Sequence, residues 1–221
     1  MRHAPKRYNR FDMRLRITFS KTGPAKYSGH IDLHKTWERI LRRAGLPLAY
    51  SQGFHPQPRI QLAVALPLGV TSECELIDVW LTDEIDLEKA TLALRTAVSP
   101  GIGILSVQPV AVSLPPLQTL AQAADYIVAV SNPPPDLELR VAAFLTAQTL
   151  PREKRGKPYD LRPLVESLSV AGHSLHMRLA ARDGATGRPE EVIDALGLGG
   201  HHTAVHRAAL HFIDKTQPDP L

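Results

Sequence analysis

"MRLRITFSKTGPAKYSGHIDLHKTWERILRRAGLP", residues 13–47, changes its hydrophobic period halfway along. Leu15, Ile17 and Phe19 alternate with Arg14, Arg16 and Thr18, the two-residue repeat of a strand with one face in a core. That strand ends near Lys21. From Asp32 the repeat becomes helical. Leu33, Trp37, Ile40, Leu41 and Ala44 return to one face, Asp32 is placed as the N-cap, and Gly45 followed by Pro47 stops the helix. Lys35, Arg39 and Arg42 form a stripe on the opposite face, with Arg43 beside it. A strand feeding such a helix is the opening of a split βαβ unit, and the following residues complete one.

Strand-like runs follow at 60–65 and 76–81, with Pro67 and Gly69 marking the turn between them. A helix over Asp86 to Val98, carrying Leu87, Leu92 and Leu94, leads to a closing strand in "GIGILSVQPV" (101–110). The order is βαββαβ. "VSLPPLQTLAQA" (112–123) reads as a linker, because adjacent prolines continue neither regular element. The order then repeats in part. "DYIVAV" (125–130) is a strand and Asp136 to Gln148 a helix; "PREKRGKPYDLRPLVESLSV" (151–170) is a basic loop into the strand "HSLHMRLAAR" (173–182). "GRPEEVIDALG" (187–197) is a short helix closed by Gly197, and "AVHRAALHFI" (204–213) is the last strand. The expected fold class is α+β, two ferredoxin-like halves in tandem. The expected domains are a basic flexible tail over 1–13, a ferredoxin-like domain over 14–112, a linker over 113–124 and a second domain over 125–221. With 221 residues and 43% hydrophobic content, the chain can bury cores in two domains of roughly 100 residues each.

Charge is unevenly distributed. Residues 1–60 hold 13 Lys and Arg against 3 Asp and Glu, a balance of +10 within a chain of net charge +4. Such asymmetry points to a polyanionic partner, nucleic acid first among them. A solvated basic face kept for solubility is the plainer account. Cys74 is the only cysteine, which excludes an internal disulfide and a cysteine-held zinc or iron–sulfur centre. No apolar run approaches the ~18 residues of a membrane span, and "MRHAPKRYNRFD" lacks the apolar middle of a signal peptide, so a cytoplasmic location is expected.

The candidate binding residues cluster in the first sixty positions. Lys21 and Lys26 flank "KTGPAKYSGH", where short side chains would let a phosphate approach the amides at the helix start. His30 follows as a candidate acid or base, although a histidine that bonds phosphate or caps the helix is the simpler role. "SQGFHPQPR" supplies Ser51, Gln52, Phe54, His55 and Arg59 on a loop stiffened by two prolines. Flat rings beside donors and a cation are what unstacked bases need. The alternative for Phe54 is a plug packed under the loop. His30, His34 and His55 make no standard metal spacing with Asp32 or Glu38, so no metal and no cofactor is expected. Cys74, between Glu73 and Glu75, has no field to activate a thiolate.

Taken as a whole, residues 14–81, and above all 51–75, resemble an uncharacterised radical SAM-associated protein family, a domain fused after or encoded beside radical SAM proteins. "KRGKPYDLRPLVESL" and "GRPEEVIDALG" resemble later blocks of that family. The resemblance implies a separate radical SAM protein as partner and a setting close to RNA and the ribosome. It brings no catalytic residues. The expected function is an RNA-binding or substrate-presenting accessory protein that works with a radical SAM enzyme. Its rivals are an RNA-processing or RNA-modifying enzyme in its own right and a docking module for an acidic protein.

Overall fold

The computed structural model describes residues 13–154 and 156–213. The basic tail therefore lies outside the described residues, apart from Met13, which opens the first strand. The chain is a mixed α/β protein, with five α-helices among the described residues. It divides into two units, one of residues 13–65 and 75–117 and one of residues 66–74 and 118–213.

In the first unit β1 (Met13–Lys21) leads through a 3-10 turn (Gly23–Tyr27) into α1 (His30–Arg43). β2 (Ile60–Leu62), β3 (Thr71–Leu81), α2 (Leu87–Ala97) and β4 (Ile102–Val110) follow. The strand order is β2-β3-β1-β4. β1 runs antiparallel to β4, from Arg14 opposite Val110 to Lys21 opposite Ile102, with an irregularity between Thr18 and Phe19. β2 runs antiparallel to β3 with Ile60 opposite Val79. The alternation of β1 puts Leu15, Ile17 and Phe19 into a core closed by Leu33, Trp37, Ile40 and Leu41 of α1 and by Ile77, Val79 and Leu81 of β3. Phe19 and Trp37 meet edge to face with centroids 4.8 Å apart, a favoured aromatic geometry.

Two local expectations are corrected in this unit. α1 begins two residues before Asp32, with Gly29 as its N-cap; Asp32 sits in the first turn, where its charge still suits the helix dipole. In α2 the N-cap is Asp86, accepting from the amides of Glu88 and Lys89, and the buried face is Ala90, Leu94 and Ala97. Leu92 points outward and is 68% exposed, because two residues along a helix lie on nearly opposite sides.

The second unit holds α3 from Gln118 on (Leu117–Leu120), β5 (Ala121–Val130), α4 (Leu137–Thr146), β8 (Val165–Ala171), β9 (Ser174–Arg182), β10 (Ala185–Thr186), α5 (Pro189–Ala195) and β11 (Thr203–Phe212). Its strand order is β8-β9-β5-β11, with β10 also on β9. β11 pairs in parallel with the start of β3, His206 opposite Thr71 and Arg207 opposite Ser72, which makes the sheet mixed. β5 starts before "DYIVAV", since Ala121 and Ala123 already pair with β11. The basic stretch over 151–170 is not a loop. It forms the hairpin β6 (Pro151–Lys154) and β7 (Lys157–Asp160), then β8. The hairpin turns at Gly156, φ +75°, and its base is closed by the Asp160 carboxylate, which accepts from the Leu150 and Arg162 amides at 2.7 and 3.0 Å. Among the described residues no helix is long and apolar enough to cross a membrane.

Candidate nucleic-acid interface

α1 separates its two faces cleanly because four of its positions are needed by the core. Lys35 and Arg39 project from the outer face and make no ion pair among the described residues. Arg42 shares Glu38 with His34, at 3.7 and 3.2 Å, so its charge is partly offset. Arg43 donates to the carbonyl of Ala97 at 2.9 Å and ties the ends of α1 and α2 together. Ile31, 69% exposed, lies on the same outer face as Lys35.

Lys21 departs from its expected place on this cationic surface. Its side chain is buried and its ammonium donates to the Ser28 carbonyl at 2.8 Å, so it organises the connection from strand to helix. Lys26 stays half-exposed, its Nζ 5.0 Å from the centre of the Tyr27 ring. His30, at the first turn of α1, has its pKa lowered by burial and by neighbouring His34. It is therefore mainly neutral at pH 7.

The loop over 50–58 is a closed structure. Tyr50 bridges Pro58, the Ser51 amide donates to the Gln57 carbonyl at 2.8 Å, and the Ser51 hydroxyl accepts from the Gln57 amide at 3.0 Å. Gly53 has φ +129°, a conformation that only glycine adopts readily. The tip thus holds Gln52, Phe54 and His55 in solvent. Phe54 is 102% exposed, so it is not a plug under the loop.

Below the loop, Arg59 lies over Trp80 at 5.3 Å, and Arg14 lies over the same ring at 4.5 Å. Arg14 and Arg16 both donate to Asp78, which is 0% exposed. Arg14 does so through Nε and Nη2, and Arg16 through Nε and Nη2 at 2.9 and 3.0 Å. Arg14 also donates to the carbonyls of Leu114 and Pro115. The sequence shows the two arginines as the outward partners of a strand alternation, whereas their counter-ion lies more than sixty residues away in β3. Trp80 and Asp78 carry no local signal that would have selected them. Among the described residues no group of three His, Cys, Asp or Glu side chains is placed to hold a metal ion.

A family model described as "uncharacterized protein conserved in bacteria (DUF2344)" matches residues 14–189, so the chain belongs to that family. No curated protein matches the chain. Among solved structures, one similar chain comes from the crystal structure of a Cbf5–Nop10–Gar1 complex, at 12% identity and a TM-score of 0.42. The match covers 90% of the present chain and 47% of that one, so the chain spans about half the length of its neighbour. Another is an unknown protein from Galdieria sulphuraria, at 13% identity and a TM-score of 0.28, covering 91% of the present chain and 98% of that one.

Proposed function

We propose that this member of the DUF2344 family binds single-stranded RNA through its first unit, as an accessory or substrate-presenting protein of the cytoplasm. The observation that carries this reading is Phe54, fully exposed on a loop whose shape is already set by its own backbone bonds. An exposed ring fixed in advance is a stacking platform that loses little entropy on binding. Lys35 and Arg39 on α1 supply cations for phosphate, and Gln52 and His55 supply base-edge hydrogen bonds. The strand orders β2-β3-β1-β4 and β8-β9-β5-β11 are read here as two ferredoxin-like domains, with the second taking in β5 from Ala121 and not only from 125. A radical SAM partner rests on the sequence resemblance alone.

The test is fluorescence anisotropy of a labelled oligouridine over a salt series. Phe54→Ala should weaken binding by about 5- to 150-fold, the equivalent of ~1–3 kcal/mol of stacking, with an unchanged melting temperature. Lys35→Ala with Arg39→Ala should flatten the logarithmic salt slope by about 0.7 per lost phosphate contact. Binding that ignores both substitutions would refute the site. A second reading, docking of an acidic protein, draws on Ile31 and Tyr27, each 69% exposed beside the cationic residues of α1 and its approach. It is favoured if oligouridine does not bind at all.

A further inference from the structure

The sheet of the second unit buries Tyr126, Val128, Leu168, Leu175, Met177 and Leu179 on one face. The residues that alternate with them occupy the other. Register sets them in rows across β8, β9 and β5: Ser167 opposite Arg178 opposite Asp125, then Ser169 opposite His176 opposite Ile127. These side chains line a groove of about 250 Å³.

Arg178 grips Asp125 at 2.7 and 3.0 Å, and His211 from β11 reaches the same carboxylate at 2.8 Å. The hydrogen bonds from Arg178, and then from His211, hold the Asp125 carboxyl below its ordinary range. Both Asp125 carboxylate oxygens are engaged, and Glu166, whose charge also acts on Arg178, pairs with Arg182 at 3.8 Å. What remains open is a set of donors. The Nη1 of Arg178, the hydroxyls of Ser167 and Ser169 and the His176 ring have no protein hydrogen-bond partner among the described residues. A guanidinium edge, hydroxyls and an imidazole facing one hollow match an oxyanion with several acceptor atoms. The exposed groove residues include no Phe, Tyr or Trp ring, and the polar groups beside the His176 imidazole are hydrogen-bond donors, which favours a phosphate group over a nucleobase.

We propose that this sheet face of the second unit is a phosphate-binding site, distinct from the RNA reading of the first unit. The group could belong to a phosphomonoester or to a phosphodiester, and the experiment separates the two. Isothermal titration of the intact chain would use inorganic phosphate, a nucleoside monophosphate and an oligoribonucleotide without terminal phosphate. Binding of the first two alone assigns a monoester; binding of the oligoribonucleotide that survives Phe54→Ala assigns a diester. Ser169→Ala with His176→Ala removes open donors but leaves Asp125, Arg178 and His211 intact. It should weaken binding at least about tenfold without moving the melting temperature. Phe54→Ala, which tests the other unit, should leave inorganic phosphate binding unchanged. The proposal is overturned if none of the three probes binds better than chloride, or if the double variant binds them as the parent does.

Discussion

Asp78→Asn is the substitution whose effect the structure fixes most directly. The Asp78 side chain is 0% exposed, that of Arg14 1% and that of Arg16 17%. The carboxylate accepts from two guanidinium groups, and Arg14 has no route to water when that acceptor is lost. Asparagine has the same shape but turns an amide donor toward guanidinium donors. Removing one partner of a buried pair costs about 3–5 kcal/mol, and the carbonyls of Leu114 and Pro115 keep part of Arg14 satisfied, so about 3 kcal/mol is expected. That is a large share of the ~5–15 kcal/mol of a typical domain. Arg16→Gln removes the more exposed partner and should cost only about 1 kcal/mol. Replacing the pair with Arg14→Met and Asp78→Leu should cost less than Asp78→Asn alone, because no charge is then stranded. Urea unfolding followed by tryptophan fluorescence reports all three, since Trp80 sits 4.5 Å from Arg14. A loss below about 1 kcal/mol for Asp78→Asn would refute the burial of this charge cluster.

Gly101→Ala should be harmful for two reasons: Gly101 has φ +86°, and an added Cβ would lie 2.4 Å from the Thr22 carbonyl oxygen. About 2–4 kcal/mol is expected, against about 1 for Gly45→Ala, which has φ +69° and open space; equal losses in a urea melt would remove the close approach of this turn to β1. The lowered pKa of Asp125 predicts a pH effect of defined sign. Its contribution to stability is present above the ordinary carboxyl value of 3.8 and is lost as pH falls through the lower folded value. Acid unfolding of Asp125→Asn should therefore depend less on pH below about 5 than that of the parent chain. Parallel curves would contradict the pairing with Arg178.

The sequence by itself determined the kind and order of the elements of the first unit, though not the bounds of β2 and β3, and the division of α1 into a buried and a cationic face. Those features depend on neighbours one to four residues apart, which a period records. The exposed donors of "SQGFHPQPR" were legible too, since proline and glycine act on their own backbone. Tertiary structure alone decided which polar residues meet. The local pattern places Lys21 among the surface cations, yet the fold buries it with its ammonium on the Ser28 carbonyl. Arg14 and Arg16 looked like solvent partners of a core strand until β3 brought Asp78 beneath them. The row of Ser167, Arg178 and Asp125 comes from three strands, and none of its members stood out in the sequence. The physical reason is that alternation tells a side chain which face of a sheet it occupies, whereas its neighbour on that face is set by strand order and register. Those depend on hydrogen bonds between residues tens of positions apart, to which no local pattern is sensitive.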